Sequence, residues 1–458
     1  MLNEKYLLDD SAMMDFIIDG YITVQTELPA EFHRQVYRQT DEIFTAEGNP
    51  GNDILPKVAA LQEVFDQPMV RGALTSILGP DYIMHPHRHC HANEPGSSGQ
   101  NFHQDSYEDD QNVRHHRTRW VMAFYYPQDV SAEMGPTAVL PGSQYYYTPE
   151  QAHTQPELPL CGKAGTLTIV HYDLWHRAMP NLSTRKRYMG KFLFCRMREP
   201  QSPSWNKGQQ ATATWKADRH PGMWKHVKNW LAGDPAATGD SLFDADELCR
   251  WLAALQNATE TARLDAAYAL GEIGAAAVPH LVEILRREAQ SSLQSNLDKS
   301  HTNPSQLYSA YALGAVGAPA VPALLELLQD ENWWMRAAAA DILGDIGLPA
   351  PQAVAALTAA LRDESAWVRR NAAEALGIIG PDAAQAVPEL LALLADEQSW
   401  VRHNAVSTLA RIGPAAREAV PTLRQALKND AAGYVRSNAR VALDKLEART
   451  VPPADLLT

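Results

Sequence analysis

The sequence predicts an α+β chain of two architectures: a double-stranded β-helix barrel of the jelly-roll type, then an all-α repeat solenoid. Three observations carry this. Short apolar runs bounded by Gly/Pro turns, with no amphipathic helices between them, fill the stretch from Met84 to Phe194. Glycines recur at Gly317, Gly347, Gly380 and Gly413, in units of 30, 33 and 33 residues. Composition also shifts: thirteen of the sixteen histidines precede residue 235, whereas alanine dominates after residue 250.

Along the first part, Gly20–Gln25 reads as a short strand, followed by an amphipathic helix through Phe32, Val36, Ile43 and Phe44. Asn49-Pro-Gly-Asn52 breaks that helix, and a second helical stretch from about Val58 to Leu78 ends at Gly79-Pro80. Met84–His91 alternates with period two, which places His85, His87, His89 and His91 on one face. They form either a metal site of their own or a polar barrel wall, and Pro86 suits an edge strand. Pro95–Gly99 is a loop leading to His103. The acidic-then-basic run from Glu108 to Arg117 reads as a loop with solvated charges; His115 and His116 are adjacent and cannot both be ligands on one strand face. Trp120–Tyr126, Thr137–Leu140, Gly165–His171 and Tyr188–Phe194 are strands, with a turn at Pro141-Gly-Ser143.

Four tryptophans, Trp205, Trp215, Trp224 and Trp230, mark a connecting segment over 203–235 that closes the barrel mouth, joins the halves or packs on the surface. From residue 241 each unit reads as helix, Gly stop, short turn, then Val-Pro opening a second helix, as at Val278-Pro279, Val321-Pro322, Val387-Pro388 and Val420-Pro421. Trp334, Trp367, Trp400 and Tyr434 each stand two residues before an arginine: Arg336, Arg369, Arg402 and Arg436. Helix pairs of this length stack into a solenoid. The gap of 43 from Gly274 to Gly317 places a surplus in the polar stretch Glu288–Ser305, read as a loop. The expected domains are therefore 1–235 and 241–450, with a tail over 451–458.

A net charge of -14 opposes a phosphate-backbone partner, so no nucleic acid is expected. Four cysteines without C-x-x-C spacing suggest neither a zinc knuckle nor a disulfide framework. No export signal is visible and no stretch approaches the roughly 20 apolar residues of a membrane span. A cytoplasmic protein is expected.

The chemistry-bearing pattern is His103-Gln-Asp105, followed by a later His and by Arg187. Two imidazoles and one carboxylate hold non-haem Fe(II) on one face and leave positions open for oxygen and a cosubstrate. Either His171 or His176 could supply the second imidazole. Arg187, eleven residues after His176, could reach back into the barrel and take a carboxylate bidentately.

The segments Asn101–Asp105, Met134–Ser143 and His176–Ser183, followed by Arg187, resemble the phytanoyl-CoA dioxygenase family over about residues 10–200. The resemblance implies an Fe(II)/2-oxoglutarate oxygenase using O2, with His103, Asp105 and His176 on iron and Arg187 on the distal carboxylate of 2-oxoglutarate. It favours His176 over His171, because Arg187 then falls at the family's spacing. His89, His91 and Phe124 are expected to face the cavity and touch cosubstrate or a small-molecule substrate. Halogenases of this superfamily replace the carboxylate ligand with Ala or Gly, so Asp105 implies hydroxylation. The chain departs from the family at Gln144, where a His commonly follows the Ser, and at Thr166, where an Asp often follows the Gly. No phosphate-cradling stretch supports a CoA thioester.

The solenoid resembles HEAT repeats, particularly the HEAT-like repeats of phycobilisome lyases, and implies a protein partner, a docked protein substrate or self-association. Two further readings stand beside the enzyme. In one, the repeats are primary and the oxygenase fold is inactive. In the other, iron sits inside the solenoid; that needs paired His-Glu motifs, and His280, His301 and His403 are not followed by Glu.

Overall fold

The structure is a computed structural model describing residues 4–105, 115–148, 156–208, 220–234, 244–257, 259–295, 304, 307–347 and 350–447. The chain forms two compact units. One comprises Met1–Tyr107, Thr118–Arg196 and Ser202–Trp215; the other comprises Glu108–Arg117, Met197–Gln201 and Lys216–Thr458. The expected boundaries cut the sequence once, whereas packing interleaves it.

The first unit holds two antiparallel sheets. Strands β1 (Tyr21–Gln25), β2 (Tyr82–Asn93), β3 (Trp120–Tyr125), β6 (Thr166–His171) and β8 (Arg187–Arg196) form a five-stranded sheet in the order β1-β6-β3-β8-β2. Strands β4 (Thr137–Val139), β5 (Leu158–Pro159) and β7 (His176–Ala178) form a three-stranded sheet in the order β5-β4-β7. An isolated bridge sets His103 beside His176, extending the smaller sheet. This is the expected double-stranded β-helix. Its interior holds Met122, Phe124, Tyr126, Val139, Val170, Met189 and Leu193, all buried. Because residues opposite one another share a face, the pairs Phe124–Lys191 and His89–Lys191 put those three side chains on that same inner face.

Three local readings change. The expected row of four histidines is broken, because the β2–β8 register shifts between Met84 and Arg88. Pro86 lies in that shift; it cannot donate to the ladder, and edge strand β2 absorbs the irregularity there. The stretch Val58–Leu78 is two helices, Leu61–Phe65 and Pro68–Leu78, since Pro68 can open a helix but not continue one. An additional helix, Asp10–Asp19, starts at Asp9, whose carboxylate accepts from Ala12 N at 2.8 Å, and stops at Gly20 with φ 78°. A Cβ at Gly20 would lie 2.4 Å from Gln144 Oε1.

The second unit is a run of helix pairs. Helices Glu260–Ile273, Tyr308–Val316, Trp333–Ile346, Ala366–Ile379 and Ser399–Ile412 each end at a glycine with φ between 70° and 77°. That left-handed residue is why the period is written in glycine. The second helices begin at Val278, Val321, Val387 and Val420, with Pro in the first turn. Glu260–Gln290 is long and apolar enough to be tested as a membrane span, but Gly274 breaks it, and Leu264, Leu270, Leu281 and Leu285 are fully buried in the unit. Trp224 and Trp230 are buried on helix Pro221–Leu231 of this unit, while Trp205 packs in the first and donates to Asp10 at 2.7 Å. Trp215 lies outside the described residues, as does the tail over 451–458.

The recurring arginines form a ladder. Arg336, Arg369 and Arg402 each fork onto the aspartate opening the next repeat, Asp363, Asp396 and Asp430, with closest contacts of 2.7 Å. Each also donates Nη1 to two carbonyls of its own loop. Lysine has the charge but no planar fork. Arg402→Lys is therefore expected to lower unfolding stability by roughly 2 kcal/mol in denaturant titrations, whereas an unchanged midpoint would make the ladder ornamental.

The polar stretch from Glu288 is not all loop: helix Val278–Ser295 continues through its first half, and 296–303 lie outside the described residues. Within it, burial raises Glu288 to about 7, and Ser309 donates a hydroxyl hydrogen bond to it. Its folded pKa thus exceeds the unfolded value, so the unfolded chain ionises first and stability falls as pH rises between about 4.5 and 7. Glu288→Gln is expected to raise stability by roughly 1–2 kcal/mol at pH 8 and not at pH 4, measured by thermal unfolding at both values.

Candidate metal centre

Three elements bring the site together. His103 leaves the Pro95–Gly99 loop and pairs with the start of β7 through reciprocal backbone bonds with His176, both 3.0 Å. Asp105 follows two residues later, on the same side of the chain. The ligand-type atoms of His103, Asp105 and His176 all lie within 4.8 Å of one another. His176 Nε2 stands 3.9 Å from Asp105 Oδ2.

Both imidazoles are pre-oriented. His103 Nδ1 donates to the Asn101 carbonyl at 3.0 Å, and His176 Nδ1 donates to the Leu174 carbonyl at 2.9 Å. A carbonyl only accepts, so each ring carries its proton on Nδ1 and offers the Nε2 lone pair to the shared space. Burial lowers His176 to about 4, keeping it neutral. Burial alone would raise Asp105, but Lys191 and His176 outweigh it and hold the carboxyl at about 2. A neutral His176 and an ionised Asp105 are donor states a dication requires.

Lys191 was not singled out from the sequence. Its Nζ donates to Asp105 Oδ2 at 2.7 Å, and both side chains are largely buried. The signal was available: Lys191 lies four residues after Arg187 on one strand, so period two points both inward.

Arg187 is 1% exposed, and its Nε and Nη2 both donate to the Gly135 carbonyl at 3.0 and 2.8 Å. Its Nη1 is buried with no hydrogen-bond partner among the described residues. Among the described residues the buried guanidinium is thus only half-satisfied. Phe124 lies with its ring 5.6 Å from that of His176. His89 pairs with Lys191 and His91 with Met189 across β8, so both face the cavity. Burial first, then the His87 and Lys191 charges, lowers His89 to about 4, and burial, then the Lys191 charge, lowers His91 to about 3. His91 Nε2 is also buried without a partner among the described residues. His171 stays outside the group: its Nδ1 accepts from the Asp173 backbone N–H at 3.1 Å.

The flanking motifs are the scaffold of this arrangement. Asn93 Nδ2 donates to the carbonyls of Gly135 and Met179, and Asn181 Nδ2 donates to the carbonyls of Asn93 and Arg185. Ser143 Oγ accepts from Trp175 N at 3.0 Å, one residue before His176. Gln144 turns away and donates to the Ile17 carbonyl at 3.0 Å, so it anchors the first helix instead of serving the site. Thr166 donates to Gln25 at 3.0 Å, a strand-to-strand bond.

Residues 22–189 match the family model of phytanoyl-CoA dioxygenase. Residues 292–377 and 354–444 match HEAT repeats, and 262–287 match the PBS lyase HEAT-like repeat. The chain joins a phytanoyl-CoA dioxygenase domain to HEAT repeats. No curated protein matches it in sequence. Among solved structures, the nogalamycin-biosynthesis epimerase SnoN, titled non-heme alpha ketoglutarate dependent, is 16% identical with TM-score 0.36, over 41% of this chain and 83% of its own. The carbocyclase SnoK is 17% identical with TM-score 0.36, over 51% and 96%. CytC3, solved with Fe(II) and alpha-ketoglutarate, is 13% identical with TM-score 0.34, over 42% and 79%. At these values the likeness carries no argument about reaction or substrate. The residues that make up the candidate centre lie within or beside the matched dioxygenase segment: His103, Asp105, His176 and Arg187 inside it, and Lys191 two residues past its end.

Proposed function

We propose that the chain is a non-haem Fe(II)/2-oxoglutarate-dependent dioxygenase that hydroxylates a small molecule. The observation that carries this is the convergence of two carbonyl-oriented imidazoles and one ionised carboxylate in the barrel that also holds the half-satisfied guanidinium of Arg187. The donor set fits Fe(II), and the orphaned Nη1 fits a carboxylate of the cosubstrate. When bound, iron, 2-oxoglutarate and O2 supply the oxidising power that places oxygen on an unactivated C–H bond.

The protein's own residues do the remainder. Asn101 and Leu174 keep protons on Nδ1, so Nε2 of His103 and of His176 stay available. Lys191 holds one oxygen of Asp105 and fixes the orientation of the carboxylate. Phe124, Tyr126, Met189 and Leu193 line an apolar interior that excludes water. His89 and His91, kept neutral, offer hydrogen bonds to a polar substrate group without adding charge. None of the four cysteines is in a disulfide, which supports a cytoplasmic setting. The repeats supply an interaction surface for a partner, a docked substrate or a second copy.

Succinate formation from 2-oxoglutarate, measured with Fe(II) against a panel of small molecules, tests the reading. A stimulating compound is expected to raise succinate release at least ten-fold over the uncoupled rate. Absence of 2-oxoglutarate binding to both metal-free and iron-loaded protein would favour the interaction-protein reading instead.

A further inference from the structure

One wall of the barrel is built from imidazoles that the metal centre does not use. The register of β2 shifts between Met84 and Arg88, His85 stands against Trp120 with ring centres 5.2 Å apart, and His87, His89 and His91 remain as a row. Consecutive ring centres in the row are 4.6 Å and 6.2 Å apart. It runs inward: His87 is exposed, His89 and His91 are half-buried, and Nε2 of His91 is closed off from solvent. Among the described residues, the three do not converge on one point as a metal-ligand set does.

The charge at this wall has a sign. Lys191 stands opposite His89 across the β2–β8 pair, with its ammonium hydrogen-bonded to Asp105. Burial lowers all three imidazoles, and beyond it the Lys191 charge depresses each one more than the Asp105 carboxylate raises it. Arg187 adds to the same effect at His91. The rings are therefore neutral at pH 8 and stand in a positive field. A neutral imidazole carries one N–H donor, so the wall offers an anion both the field and the hydrogen bonds. A cationic group would be opposed by that field. Fe(II) and the 2-oxoglutarate dianion together add no net charge, so a loaded centre keeps the same sign.

We propose that His87 and His89 bind a carboxylate of the substrate, which makes this a site for an acidic small molecule. Imidazoles with ring centres 4.6 Å apart can each give an N–H to one oxygen of the same carboxylate. His91, next along the row and within reach of the Arg187 charge, lies toward the cosubstrate end. The binding needs only these residues; that the bound acid is then hydroxylated rests on the oxygenase reading above.

The test uses the full chain at pH 8 and matched probes: simple carboxylic acids of graded size and their primary amides, which keep the shape and lose the charge. Binding to metal-free protein is read from the ring NMR signals of isotope-labelled histidine. His87 and His89 are assigned by the signals lost in His87→Gln and His89→Gln. An acid is expected to shift both signals and its amide neither. Its affinity should fall by about ten-fold or more in His87→Leu/His89→Leu, but by about two-fold or less in Arg187→Gln. His89→Gln keeps an N–H donor and should hold most of the affinity, which separates a lost donor from a disturbed fold. Amides that bind as well as acids overturn the proposal, as does affinity that is lost with Arg187 instead of the imidazoles. A panel in which no acid shifts either signal also overturns it. A failure of the oxygenase reading looks different: acids would still bind at His87 and His89, while Fe(II) and 2-oxoglutarate give no succinate with any of them.

Discussion

Asp105→Ala is expected to lower substrate-coupled succinate formation by about a thousand-fold, near 4 kcal/mol of barrier, with Fe(II) binding at the barrel lost. The carboxylate is the only anionic donor of the three, and Lys191 holds it in place at 2.7 Å. Removing it leaves two imidazoles without an anionic partner, a poor trap for a dication, and a largely buried ammonium without its own. Asp105→Asn keeps the volume but loses the charge, so it should fall between the two. Circular dichroism and Fe(II) stoichiometry separate lost ligation from misfolding. An Asp105→Ala variant that keeps full turnover would remove this residue from the centre.

Arg187→Gln should behave otherwise. It is expected to raise the KM for 2-oxoglutarate by about a hundred-fold, close to 2.7 kcal/mol for a charge-assisted pair, with Fe(II) stoichiometry unchanged. Gly135 keeps a donor in Asn93, 2.9 Å from its carbonyl, so the loop carrying it should hold its shape. Saturating 2-oxoglutarate should restore kcat to within a few-fold, because the lost contact is made equally in ground and transition states. Arg187→Lys should recover part of the affinity, since a point charge replaces a planar fork. A loss of kcat with unchanged KM would mean that Arg187 serves the frame alone.

Much of this was legible in the chain. The repeats announce themselves because each turn needs a left-handed residue, and Gly317, Gly380 and Gly413 meet that need at φ 73°, 74° and 75°. His103 and Asp105 are readable as a pair because they stand two residues apart on one side of the chain, whereas the choice of His176 over His171 rests on the family resemblance. What sequence alone did not show is the work of distant partners. Lys191 becomes part of the site only when β8 lies beside β3, opposite Phe124. The aspartates that receive the recurring arginines sit 27 or 28 residues further on and carry no motif of their own. His115 read as surface because its neighbours are charged, and its burial depends on helices more than two hundred residues away. The histidine row of β2 failed at Pro86, where a missing N–H shifts the register.

Co-crystals grown anaerobically with Mn(II) and 2-oxoglutarate test the central claim most directly. The expected result is an anomalous peak in the barrel bonded to Nε2 of His103, Nε2 of His176 and a carboxylate oxygen of Asp105, with the far carboxylate of 2-oxoglutarate on Arg187. A barrel without metal, or a diacid bound away from Arg187, would contradict it.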